Sequence, residues 1–240
     1  MFKIMSQLTG TANVAAQPLF SSNANPQHNL GEEISTNDGR RFRYARAGAS
    51  ALVPGTLLQS QAEATGNQNL AVAAAAIGDT TVTTTSTVTV TANQYAGGFV
   101  MVTVTPGQGY QYKIKSHPAA TSAAVVLTLE DPILVALTTS SKIDLVANRY
   151  SAVIINPTTA TSSPVGAAVY PIAATEYGWI QVTGTANLLA DGTVTVGTAL
   201  VASNGTAGAV EPLAGVQAIV GIAITGIATT EYGSVDLCLE

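Results

Sequence analysis

Threonine and valine alternate over long stretches of this chain, and the alternation restricts its fold more than any other feature. In Thr87-Val88-Thr89-Val90-Thr91 and Phe99-Val100-Met101-Val102-Thr103-Val104-Thr105 the apolar residue returns at every second position. That is the period at which side chains of an extended strand share a face. Most of these residues are β-branched, which stiffens χ1 and favours pleated backbone over helix. Valine turned inward with threonine outward describes a half-buried sheet. No long amphipathic helix stands out, and the Ala-rich run 70–77 is the best helical candidate. The expected fold is all-β, with two small sandwich-like or barrel-like units and an extended N-terminal arm.

Turn chemistry divides the chain further. Residues 1–37 are polar, rich in Asn, Gln, Ser and Thr, and interrupted by Pro18 and Pro26. They are read as an extended arm, either disordered alone or ordered on a partner, with a frayed terminus as the alternative. Asn37-Asp38-Gly39 tolerates the left-handed backbone of a tight turn and opens the first β domain, 38–160. Within it, Phe42 and Tyr44 share one strand face with Arg40 and Arg46, while Arg41 and Arg43 project from the other. The aromatics are expected on the core and Arg41 and Arg43 free for a partner. Residues 51–58 read as strand, Pro-Gly turn, strand, and Pro106-Gly107-Gln108-Gly109 as the turn of a hairpin. Further strands are expected at 124–129, 133–137, 143–146 and 152–155. The Pro-rich stretch 157–171 marks a boundary, with 161–170 as linker and 171–240 as the C-terminal β domain. That domain should hold strands at 178–183, 193–196, 199–202, 219–224 and 235–239. The sequence Thr-Glu-Tyr-Gly occurs at 175–178 and again at 230–233, each a turn entering a strand.

Charge excludes several function classes. Charged residues make up 10% of the chain, far below the roughly 25% of ordinary soluble domains. The net charge is −5, yet all nine Lys and Arg lie at or before Arg149. Residues 150–240 carry six acids (Glu176, Asp191, Glu211, Glu231, Asp236, Glu240) and no base, so phosphate contacts have no cation there and no nucleic-acid partner is expected. A surface of Thr, Ser, Ala and Asn is inexpensive to desolvate and suits broad protein contact. The lone Cys238 makes no internal disulfide. No signal peptide is read at the N-terminus, and no membrane contact is expected, since the apolar stretches at 70–78 and 218–228 are shorter than the roughly 20 residues that span a bilayer. Asn204-Gly205-Thr206 is then a nominal sequon.

Catalytic signatures are missing. His28 and His117 are the only histidines, so neither a paired-His metal site nor a Cys cluster is expected. There is no nucleophile elbow, Walker sequence or dinucleotide loop, and Gly107-Gln108-Gly109 belongs to a hairpin. Glu130 and Asp131 are adjacent, and so point to opposite strand faces, while Glu32 and Glu33 lie in the arm. The expectation is a non-enzyme without cofactor, metal or catalytic residues.

Several stretches resemble the head decoration, or cement, proteins of tailed bacteriophages. They are Gln27-His28-Asn29-Leu30-Gly31, the run from Asp38 to Gly48, Ala92-Asn93-Gln94-Tyr95-Ala96-Gly97-Gly98, the run from Gly107 to Pro118, and the glycine-punctuated stretches at 190–197 and 220–224. The resemblance covers most of residues 27–240. It implies a protein, often a homotrimer, made in the host bacterial cytoplasm and added to the outside of the expanded capsid. There it bridges major capsid protein subunits and stabilises the shell. On that reading Arg40, Arg41, Phe42, Arg43, Tyr44 and Arg46 are the candidate capsid contacts. The alternative is a phage or bacterial surface adhesin with a glycan-binding β module. The scarcity of aromatic platforms, with Trp179 the sole tryptophan, weighs against it.

Overall fold

The computed structural model describes residues 17–240 together with the backbone of Leu8–Thr9. As expected, the regular structure is nearly all strand, with a single 3-10 turn at Thr65–Asn67 among the described residues. The strands in chain order are β1 (Leu8–Thr9), β2 (Ser22–Asn23), β3 (Glu33–Thr36), β4 (Arg41–Arg46), β5 (Leu57–Gln59), β6 (Leu70–Ala71), β7 (Thr81–Thr85), β8 (Thr89–Val90), β9 (Phe99–Val104) and β10 (Gln111–Ser116). They continue with β11 (Ala120–Thr121), β12 (Ala124–Leu129), β13 (Lys142–Val146), β14 (Ile154–Ile155), β15 (Pro164–Ala168), β16 (Tyr177–Leu189), β17 (Ala199–Ala202), β18 (Val210–Pro212), β19 (Ile219–Ala223) and β20 (Tyr232–Cys238).

The chain forms two compact units, divided elsewhere than the proline signal suggested: Met1–Ala62 joins Arg149–Glu240, and Glu63–Asn148 is inserted between them. The expected linker 161–170 contains β15, a strand of the larger sheet. Pro164 takes the first position of β15, where a missing N–H is tolerated. Gly166 packs so closely on β16 that an added Cβ would lie 2.9 Å from the Gln181 carbonyl oxygen. Proline and glycine here mark close strand packing, and the two real crossings, 62/63 and 148/149, carry neither residue.

In the larger unit a 12-stranded sheet curls into a half-barrel, its main path running β1-β3-β4-β16-β20-β19-β17-β18. Strand β16 is its spine: Tyr177 through Thr183 pair with β4, and Thr183 through Leu189 pair with β20. A bulge at Gln181/Thr183 separates the two stretches. The buried Gln181 shares its two Nε2 protons among the carbonyls of Thr183, Gly184 and Thr185, which lie within 3.1 Å beside the bulge. One core cluster holds Leu188, Val220, Val235 and Leu237, and another Leu52, Leu58, Ile172 and Ile180.

In the inserted unit a six-stranded sheet runs β6-β13-β9-β10-β12-β7, and Val72 bridges Thr84 so that the barrel almost closes. Val82, Val100, Ile114, Leu127 and Ile143 fill it. The β9-β10 hairpin and β12 fall where the alternation placed them. The run 70–77 is extended instead of helical: Leu70–Ala71 pair with β13 and Ala75 bridges Leu137. Residues 133–137 and 193–196 contribute single bridges in place of strands.

One local unit recurs three times as a mutually bridged pair. A bridge residue precedes a four-residue turn closed by an i+3 backbone hydrogen bond, and the bridges pair Leu52 with Ile172, Ala75 with Leu137, and Val194 with Ile227. Each pair exchanges two backbone bonds, as in Leu52 N–H to Ile172 O at 2.8 Å and the reverse at 3.2 Å. The turns that follow close at Thr56, Asp79, Ser141, Glu176, Thr198 and Glu231. The Thr-Glu-Tyr-Gly echo belongs to two of them.

The arm also differs from expectation. Its residues 1–16 lie, apart from the Leu8–Thr9 backbone, outside the described residues, whereas 17–37 pack on the body. Leu19 and Ile34 enter a cluster with Phe42, Tyr44 and Trp179. The buried Gln17 accepts from the Tyr44 hydroxyl at 2.5 Å and donates to the Tyr177 carbonyl at 2.9 Å. Polar composition concealed this anchoring because a few aromatic contacts and satisfied amides hold the segment, without a continuous apolar period.

Candidate functional site

Strand β4 carries five of the six residues expected at the capsid contact, with Arg40 directly before it, and its alternation is the one expected. Phe42 and Tyr44 are fully buried. Tyr44 stands 5.0 Å, centroid to centroid, from Trp179 and 5.1 Å from His28 in edge-on contacts. The His28 side chain is itself buried, with Nδ1 3.4 Å from Glu32 Oε1. These aromatics are core, and Trp179, 1% exposed, is no platform for a sugar.

Arg41 and Arg43, expected to be available, are committed within the molecule. Arg41 donates to Thr183 Oγ1 at 3.1 Å and to the Glu240 backbone carbonyl at 2.7 Å. Arg43 grips Glu240 Oε2 through Nε and Nη2 at 2.8 and 2.6 Å, reaches Glu33 at 2.8 Å, and donates to the Gly31 carbonyl at 3.0 Å. Arg40 pairs with Asp38 at 2.8 Å and lies over the Phe42 ring, while Arg46 donates to the Thr175 carbonyl and covers Tyr177. Tyr150 completes the Glu240 cluster, donating to Oε1 at 2.6 Å. Burial opposes charge on Glu240, but the Arg43 and Tyr150 hydrogen bonds outweigh it and hold the carboxyl below its usual range. Burial, reinforced by the Glu240 carboxylate, pushes the Tyr150 phenol far above its ordinary value. The cluster ties β3, β4, β16 and Tyr150 to residue 240.

In the inserted unit, His117 is structural too. Its Nε2 accepts from the Tyr95 N–H at 2.9 Å, so Nδ1 carries the proton and donates to the Pro118 carbonyl at 2.9 Å. Glu130 pairs with Lys113 at 3.1 Å. Among the described residues no group of three or more His, Cys, Asp or Glu converges, and no helix is long and apolar enough to cross a membrane.

An exposed aliphatic surface of the larger unit centres on 219–224, which the sequence reading gave as a strand. Ile219, Ile222 and Ile224 are 46%, 49% and 44% exposed, whereas Val220 and Ala223 between them are buried. Ile222 lies opposite Ala199 of β17 and Asp236 of β20. Leu213 joins the same corner through its N–H to the Ala199 carbonyl, and Val196 through the bond from Gly197 N–H to the Ala223 carbonyl. Leu213 and Val196 are both exposed, and Val216, in the 213–218 loop, is fully so. Every residue of this corner belongs to the stretch without a Lys or Arg. The inserted unit has a smaller apolar tip, where Ile77 and Leu134 stand out beside the bond from Gly78 N–H to the Ile133 carbonyl.

The apolar period alone could not separate these faces. A run such as Ile219-Val220-Gly221-Ile222-Ala223-Ile224 is apolar at every position but Gly221, and only pairing decides which side is covered. No family model matches the chain, and no curated protein or solved structure shows significant similarity to it.

Proposed function

We propose that this protein is a capsid cement of a tailed bacteriophage: it binds the outer surface of the expanded head, bridges major capsid protein subunits, and works by contact without making or breaking covalent bonds. The observation that carries the reading is the exposed aliphatic corner around β19, where Ile222 on the strand and Ile224 just past it stand beside Val196 and Leu213 of the segments bonded to β17 and β19. Contiguous exposed aliphatics of this kind mark protein interaction surfaces. With Asp236 as the charge paired beside Ile222 and no cation in 150–240, docking there desolvates little charge. The sheet scaffold supports the reading further, because a preformed surface loses little conformational entropy on binding. Many such contacts on one shell add through avidity when the copies engage together. The resemblance of the sequence to decoration proteins supplies the identity of the partner. The β4 arginines serve this surface indirectly, by holding the sheet.

The test is to mix purified protein with expanded shells that lack it and measure uptake by sedimentation and shell resistance to heat. The expected result is saturable, stoichiometric uptake. Ile222→Lys combined with Ile224→Lys should lower the apparent affinity about tenfold or more while leaving the melting temperature within a degree or two, since both residues are half-exposed and the new charge at 222 lies opposite Asp236. Absence of uptake by the unaltered protein sinks the cement reading. Unchanged uptake by the double variant sinks the assignment of this corner.

A further inference from the structure

The spine strand β16 has a break in its pairing, and we infer that this break is a docking groove for a short extended peptide segment of a partner protein, added as a strand. The groove has a volume of about 440 Å³ and is lined by Arg40, Gly55, Ala168, Thr185, Asn187 and Tyr232, among others. That volume is in the range of ligand-binding clefts, roughly 300–1,000 Å³. The inference does not rest on the capsid reading.

The backbone of β16 dictates what the groove can hold. Strand β4 ends at its Arg41 side, where Arg40 turns away against Gly184, and an added Cβ on Gly184 would lie 3.1 Å from Arg40 Cα. Five residues past Gly184, the Leu189 N–H is taken by the Gly55 carbonyl at 2.9 Å. Between these ends no backbone hydrogen bond reaches that side among the described residues, although Gly55 comes near the Asn187 carbonyl, 3.5 Å from where its Cβ would stand. Asn187 lies opposite Ser234 of β20, but the Ser234 carbonyl faces β19, where it accepts from the Ile224 N–H at 2.8 Å. In an antiparallel ladder the pair Asn187 and Ser234 is therefore the non-bonded kind, and the N–H and C=O of Asn187 point away from β20 into the groove. The Thr185 N–H points the same way by the same alternation, and its carbonyl is capped by Gln181 Nε2 at 3.0 Å. The result is an open strand edge about three residues long at about 3.3 Å per residue. It offers two donors and one acceptor, the pattern that another main chain satisfies.

The ends of the groove select the occupant. A segment running antiparallel to β16, in line with β4, brings its C-terminal end to Arg40. Arg40 uses Nε for Asp38, and its two terminal nitrogens make no hydrogen bond among the described residues. They face a carboxylate with two donors in fork geometry. At the other end the Tyr232 ring, 50% exposed, rests on Gly55, where an added Cβ would come within 2.5 Å of Cε1. Its open face suits an apolar or proline side chain. The chemistry recognised is thus an extended stretch of small residues ending in an acidic side chain or a free carboxylate.

The full-length chain, labelled with nitrogen-15, is titrated with an N-acetylated hexapeptide of alternating alanine and threonine that ends in aspartate with a free carboxylate. The expected result is saturable shifts of the Asn187 and Thr185 amide signals. The same peptide N-methylated at alternate amides should cause no shift, because it lacks the main-chain donors. Arg40→Gln should weaken binding about fivefold to tenfold, and amidating the peptide should weaken it similarly. No shift at millimolar peptide, equal shifts with the N-methylated peptide, or the same shifts with maltotriose in place of peptide each overturn the proposal. Shell uptake is read separately, so failure here leaves the cement reading standing.

Discussion

The Glu240 carboxylate accepts from Arg43 on one oxygen and from Tyr150 on the other, and its backbone carbonyl accepts from Arg41 and Thr183. With these partners the carboxyl is held below its unfolded value, so the charged form is favoured by folding. Stability from this source is fully present above the unfolded carboxyl value, near 4.3, and is lost as pH falls through the lower folded value. Glu240→Gln keeps the shape and removes the charge. It should destabilise the protein by about 1 kcal/mol at neutral pH, a modest figure because the cluster is partly exposed. Urea denaturation across a pH series should show the difference from the unaltered protein shrinking below about pH 4. A difference constant from pH 3 to pH 7 would mean that Glu240 acts by packing alone. None of this was legible beforehand: Arg43 and Glu240 are 197 positions apart, and no local rule pairs them.

At the scale of elements, five of the six bridged turns reach one backbone solution by unlike sequences, while Ser140, third in the sixth, stays out of the left-handed region. Gly55, Gly78 and Gly197 occupy the third turn position with φ of 78°, 96° and 79°, where glycine has no steric penalty. In the two Thr-Glu-Tyr-Gly turns the same position is Thr175 and Thr230, at 65° and 67°. A β-branched residue in the left-handed region is strained by roughly 1–2 kcal/mol. Glycine there relieves the strain but adds about 0.5–1 kcal/mol of unfolded-state freedom. Thr175→Gly and Thr230→Gly should each therefore stabilise the protein by roughly 0.5–1 kcal/mol, read as a raised denaturant midpoint with an unchanged slope. Lowered midpoints would show that the threonine side chains contribute more than the backbone loses. The sequence disclosed the two copies that share letters, and it hid the others because the turn demands a conformation and not a particular side chain.

Considered as a whole molecule, the chain contains one contiguous unit, Glu63–Asn148, placed inside a discontinuous one. The inserted unit has its own core, from Leu70 to Leu145, and an almost closed barrel. At 86 residues, 63 through 148, it exceeds the size at which many domains fold alone. The excised segment 63–148 should fold by itself, giving dispersed amide signals and one cooperative thermal transition. A fragment without cooperative melting would show that its stability depends on the rest of the chain. The expected division near 161–170 failed because proline and glycine report local backbone needs, whereas a unit is defined by which distant strands share a sheet.

The sequence by itself determined the class of structure: period-2 alternation of β-branched residues required sheets, and Asn-Asp-Gly and Pro-Gly placed turns between them. It also determined the inward face of β4, since Phe42 and Tyr44 alternate with arginine over a single strand. Only the tertiary structure decided that Arg41 and Arg43 close on Glu240, that Ile222 and Ile224 look outward, and that β16 keeps an unpaired edge at Asn187. Alternation and turn geometry act over a few neighbouring residues and can be read along the chain. Register, ion pairing and exposure depend on which remote strands meet, a choice made by the summed burial and hydrogen bonding of the whole sheet.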